Sequence, residues 1–135
     1  MASYRLRGNK VERIVILDSS AILMLFEFSI DFEDELTRLL GNYKIIVPKP
    51  IIDELKLISE KNSGRKKFFS KAGLKLIEKY DVVEANGEKG DDSVLFLAKK
   101  SNGIVVTNDR ELRKRIKDAG LHTIFLRNKS KLVLE

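Results

Sequence analysis

The chain has 135 residues, 43% hydrophobic and 34% charged, enough for one buried core and short for two, so a single domain over 1–135 is expected. It contains no Cys and only one histidine, His122, which excludes disulfides, thiolate zinc sites, cysteine nucleophiles and multi-histidine metal sites within one chain. With 26 Lys and Arg against 20 Asp and Glu the net charge is +6, which favours a polyanionic partner, nucleic acid ahead of a membrane surface.

The first ten residues, MASYRLRGNK, lack the apolar stretch of a signal peptide and read as a flexible basic N-terminus. No apolar run approaches the ~18 to 20 residues of a membrane span, so a cytoplasmic protein is expected. RIVILD, residues 13–18, is an unbroken β-branched and leucine run suited to a strand buried on both faces. SSAILMLFE follows as a helix capped by Ser19 or Ser20, or by Asp18 itself. DFEDELTRLL, residues 31–40, starts with acids and stops at Gly41, as a helix should. KIIVP is a second buried strand, and Pro50 suits the first turn of the helix PIIDELKLISE.

NSG at 62–64 breaks that helix before a basic one from about Arg65 to Lys79. Phe68 and Phe69 within it are expected in the core rather than stacked on bases. DVVEA reads as a short strand or extended piece and NGEKG as a loop. DDSVLFLAKK is a helix ending near Asn102 and Gly103, IVVT a strand, and Asn108 with Glu111 resembles a capping box for the helix that runs to Gly120. HTIFLR is a last core strand, and KLVLE an edge pairing. Strands alternating with helices predict a three-layer α/β/α fold around a mostly parallel sheet of four or five strands.

Four acids stand beside apolar stripes at equivalent places. Asp18 closes a buried strand, Glu54 lies in register with Ile51, Leu55 and Ile58, Asp91 with Val94, Leu95 and Ala98, and Asp109 with Leu112 and Ile116. In an open α/β sheet the carboxyl ends of strands and the N-termini of the following helices share one rim, where ligand sites gather. Two carboxylates about 4 Å apart repel by roughly 4 kcal/mol at an effective dielectric near 20, so such a cluster calls for a cation or raised pKa values. Hard divalent ions, Mg²⁺ or Mn²⁺, suit all-oxygen ligands and are often completed by phosphates. Taken singly, each acid also fits a blander role, as a helix cap, a dipole partner or a solvated edge residue. Asp91 and its neighbour Asp92 compete for the site. Two basic stretches, one around Lys61, Arg65, Lys66 and Lys67 and one around Arg110 and Arg113, supply candidate contacts to a nucleic-acid backbone.

In order and spacing, VILDSSA, VPKPIIDEL and GDDSVLFLAKKSNGIVVTNDRELRKRI resemble the PIN domain, a compact metal-dependent nuclease fold. The resemblance implies that Asp18, Glu54, Asp91 and Asp109 are the catalytic acids, that Asp18, Asp91, Asp92 and Asp109 hold one or two Mg²⁺ or Mn²⁺ ions, and that Ser20, Thr107 and Asn108 support them. It implies an endoribonuclease hydrolysing RNA phosphodiester bonds, closest in wording to archaeal and eukaryotic ribosomal-RNA-processing members. A toxin ribonuclease of a toxin-antitoxin pair and a non-catalytic RNA-binding module are the alternatives. The implied partners are RNA, a second copy of the chain, and a pre-ribosomal factor or an antitoxin, with no membrane.

Overall fold

Central to the architecture is the run Ile14–Leu17, whose four side chains are all at least nine-tenths buried. Such a run is stable only with sheet on both edges and helices on both faces, and the computed structural model, which describes residues 4–7 and 10–135, supplies them. The strands are β1 (Tyr4–Arg7), β2 (Lys10–Leu17), β3 (Tyr43–Pro48), β4 (Asp81–Val83), β5 (Ile104–Val106), β6 (His122–Arg127) and β7 (Lys131–Leu134). The helices are α1 (Ser19–Glu27), α2 (Phe32–Leu40), α3 (Lys49–Lys61), α4 (Gly64–Ile77), α5 (Gly90–Ser101) and α6 (Arg110–Asp118).

The sheet order is β4-β3-β2-β5-β6-β7, with β1 paired to β2. Five strands, β4, β3, β2, β5 and β6, are mutually parallel, and β1 and β7 add antiparallel edges. The expected parallel sheet is therefore present, widened by two short antiparallel pieces. The expectation for residues 1–10 falls partly outside the described residues; within it, Tyr4–Arg7 form a strand against Lys10–Arg13.

From β2 the chain steps outward to β3 and β4, then returns through α5 to the other side of β2 to form β5 and β6. The direction reverses at β2, which makes the crevice beyond the β2 and β5 carboxyl ends a topological switch point. Register sharpens this: Leu17 lies opposite Val106, so Asp18 and Thr107 leave the sheet side by side.

Of the three residues expected to compete for the cap of α1, Asp18 takes it, accepting from the Ala21 amide at 2.7 Å. The starts of α5 and α6 differ from expectation. Neither Asp91 nor Asp92 caps α5: the residue at that position is Lys89, and both acids lie in the first turn. Asp109, not Asn108, caps α6, taking the amides of Glu111 and Leu112 at 2.9 and 3.1 Å. Asn108 instead accepts from the Leu126 amide and ties this loop to β6. Phe68 is 67% exposed rather than in the core. The buried face of α4 is Ser70, Gly73 and Ile77, and the small Gly73 lets α1 approach, so the helix turns Phe68 outward.

Candidate active site at the switch point

Asp18 leaves β2 after four apolar residues and is only 3% exposed. A carboxylate so placed needs donors, and the adjacent chain ends provide them. Thr107 Oγ1 donates to Oδ2 at 2.6 Å, Ser20 Oγ reaches both carboxylate oxygens at 2.9 and 3.0 Å, and the Ala21 amide reaches Oδ1. The two hydroxyls lie 3.3 Å apart. Thr107 Oγ1 also accepts from the Asp109 amide at 3.0 Å, so one buried threonine fixes two of the four acids.

Burial pushes the Asp18 carboxyl up to about 6, against the pull of Thr107, the Ala21 amide and Ser20, and the charge of Asp91 adds to the rise. Asp91, half-buried at the start of α5, is also raised. Burial is the main cause, followed by the charge of Asp109, and Glu54 and Asp92 contribute after the opposing charge of Arg115. Asp91 thus lies within electrostatic reach of Asp18, Asp109 and Glu54. Glu54 is reached from α1, where Ser19 Oγ donates to its Oε1 at 2.7 Å. Ser19 is the partner that sequence reasoning missed; only the packing of α1 against α3 reveals it.

The remaining expected residues divide. Ser20 and Thr107 sit against Asp18, and Asn108 lies beside them with its amide 3.4 Å from Ser20 Oγ. Asp92 turns outward, its Oδ1 receiving Arg115 Nη2 at 2.7 Å. Arg110 is exposed immediately after Asp109. Arg113 is drawn away: its guanidinium lies 3.7 Å from the centre of the Phe125 ring and pairs with Glu135 at 3.2 Å. Lys61, Arg65 and Lys66 are exposed and Lys67 partly so; Lys61 lies about 10 Å of helix beyond Glu54.

Among the described residues, no three Asp, Glu or His side chains are drawn together closely enough to enclose a metal ion. The chemistry of the donor set nevertheless fits a hard divalent cation: every candidate ligand is a carboxylate, and the charges of neighbouring acids add to the rise of Asp18 and Asp91 where a cation would oppose it.

A parallel α/β sheet with buried and half-buried acids over its switch point defines the class of the molecule, a doubly wound domain with an oxygen-rich acidic site. The sequence profile of the PIN-like domain matches residues 15–129, and the chain belongs to that family. It is similar to ribonuclease VapC9 of Archaeoglobus fulgidus, 29% identical over 135 residues that span 100% of this chain and 98% of that protein. Ribonuclease VapC4 of Methanocaldococcus jannaschii is 29% identical over 119 residues, covering 85% and 91% of the two chains. Among solved structures, the PIN domain endonuclease Utp24 superposes with a TM-score of 0.75 at 21% identity over 91% of each chain, a likeness of fold. No described helix is long and apolar enough to cross a membrane.

Proposed function

We propose that the protein is a divalent-metal-dependent endoribonuclease that hydrolyses RNA phosphodiester bonds at the rim formed by Asp18, Glu54, Asp91 and Asp109. The observation that carries this reading is the buried Asp18 carboxylate, held by Thr107 and Ser20 and sensing Asp91. A fold gains nothing in stability from burying an ionisable acid among other acids, so the arrangement answers to chemistry. Resemblance to two proteins named ribonucleases along nearly their whole length supports the same activity.

Asp18, Asp91 and Asp109 offer the oxygens that would hold one or two Mg²⁺ or Mn²⁺ ions. When bound, such an ion supplies Lewis acidity and lowers the pKa of water. Glu54, steadied by Ser19, would orient the attacking water, whose oxygen bonds to phosphorus as the bond to the 3′ oxygen breaks and whose proton ends on that leaving oxygen. Thr107 and Ser20 hold the Asp18 oxygens in place through their hydroxyls. Arg110, Lys61, Arg65 and Lys66 give salt-sensitive backbone contacts without base readout.

The test is incubation of structured and single-stranded RNA with the protein in Mn²⁺, Mg²⁺ or EDTA, alongside Asp91→Asn. Cleavage that requires the metal and is lost in the variant supports the reading. Cleavage that survives both EDTA and Asp91→Asn overturns it, and tight binding without cleavage points to an RNA-binding module. A second reading is a toxin ribonuclease of a toxin-antitoxin pair, which the likeness to two proteins named ribonuclease VapC, each 29% identical, supports. A co-purifying small protein that inhibits cleavage is the result expected for the toxin reading.

A further inference from the structure

Beyond the acids, the rim holds the guanidinium of Arg115, paired to one of them. Arg115 stands on α6 six residues after the Asp109 cap, and arginine side chains on a helix lean back toward its N-terminus. There the Arg115 group meets α5, with Nη2 2.7 Å from Asp92 Oδ1, and its charge acts on Asp91 next door. The pair is open to solvent, Arg115 42% and Asp92 60% exposed, so it is weakly held and readily exchanged.

From this geometry we infer that Arg115 is a substrate contact, moving from Asp92 onto an RNA phosphate at the acidic rim, and that Asp92 is a positioning residue that holds it ready rather than a metal ligand. The inference rests on the nuclease reading for its substrate. A phosphate approaching four acids meets repulsion, and a cation at their edge offsets it. Guanidinium suits the task because its planar fork can grip two phosphate oxygens at once, which the single oxygen it reaches on Asp92 does not demand. The neighbouring basic residue Arg113 does not compete, since Phe125 and Glu135 hold it.

The experiment compares wild type with Arg115→Ala, Arg115→Lys, Asp92→Asn, the double variant, and Lys99→Ala, a charge-loss control at the far end of α5. Affinity for a short single-stranded RNA is read by fluorescence anisotropy in EDTA, Mn²⁺ affinity by calorimetry, and KM and kcat by cleavage in Mn²⁺. Arg115→Ala is expected to weaken RNA binding and raise KM about 10- to 100-fold with a smaller change in kcat. Arg115→Lys recovers part of this, and Lys99→Ala changes RNA affinity by no more than about twofold. Asp92→Asn keeps Mn²⁺ affinity and tightens RNA binding severalfold, an effect absent when Arg115 is already Ala. RNA binding by Arg115→Ala equal to wild type, or loss of Mn²⁺ affinity in Asp92→Asn as large as in Asp91→Asn, overturns the inference. If wild type binds RNA without cleaving it, the nuclease reading fails while the anisotropy comparison still decides the role of Arg115.

Discussion

Thr107 Oγ1 donates to Asp18 Oδ2 at 2.6 Å across the switch point, joining the residue after β5 to the residue after β2. The same oxygen accepts the Asp109 amide. Replacing the fully buried Thr107 by Val keeps the shape and removes the hydroxyl that both partners use. The loss is expected to be about 1 to 3 kcal/mol, read as a lower urea midpoint at unchanged slope, with RNA cleavage reduced. Thr107→Ser retains the hydroxyl and gives up only a methyl, about 1 kcal/mol. A Val variant as stable as wild type would show that this hydroxyl is not needed to hold Asp18.

The buried acid also sets a pH dependence. The Asp18 pKa is pushed to about 6 in the fold against its ordinary value of 3.8, so between these pH values the folded chain binds more protons than the unfolded one. Stability from this group is then complete below about pH 4, declines as pH rises and is gone above about pH 6, a penalty on the order of 3 kcal/mol at neutrality. Asp18→Asn is expected to remove that decline and be the more stable protein at pH 7, while losing activity. Denaturant unfolding of both proteins between pH 4 and 7 checks it. A difference that does not vary with pH would contradict the assignment.

What the sequence made legible follows from the range of the interactions. Asp18 and Asp109 stand out because each interrupts an apolar pattern where a strand has just ended, a local signal. Glu54 and Asp91 show as acids in line with apolar stripes, again local. The pairs Ser19 with Glu54 and Arg115 with Asp92 are not legible, because each depends on how two helices far apart in sequence are rotated against each other. The capping of α5 and α6 was misplaced by one to three residues, the usual slack where several polar residues crowd a helix start. Phe68 was assigned to the core because the small residues that form the buried face of α4, Ser70 and Gly73, leave no hydrophobic period to read. β1 and β7 are short antiparallel edge strands, where apolar alternation is weak.

Gly73 is the closest approach of α4 to α1: a Cβ there would collide with Ile22 Cγ2. Alanine would add about 1 kcal/mol of helix propensity, but overpacking a buried crossing costs about 1 to 3 kcal/mol. Gly73→Ala is therefore expected to lower the urea midpoint. Ile22→Ala in the same chain removes the colliding methyl, so the double variant should lose less than the sum of the two single changes. Additive losses would mean that the helices separate without contact.

On the opposite edge of the sheet, Glu35 and Arg38 of α2 occupy the free backbone of β7. Glu35 Oε1 accepts the Leu132 amide at 2.9 Å, and Arg38 Nη2 donates to the Leu132 carbonyl at 2.9 Å. Arg38 in turn grips both Glu35 oxygens at 3.0 Å. Both backbone groups of Leu132 are thereby withheld from any other strand, which protects an edge that would otherwise invite association. Arg38 first, and then the Leu132 amide, hold the Glu35 carboxyl down to about 2, below its ordinary value of 4.5. Its contribution is complete above about pH 4.5 and fades as pH falls toward 2. Glu35→Gln is expected to destabilise the protein by about 1 kcal/mol at pH 7 and by progressively less in acid, since the pair is partly exposed. Glu35→Ala, which also frees the Leu132 amide, should raise light scattering at neutral pH. A Gln variant whose deficit grows as the pH falls would place the source of acid sensitivity elsewhere.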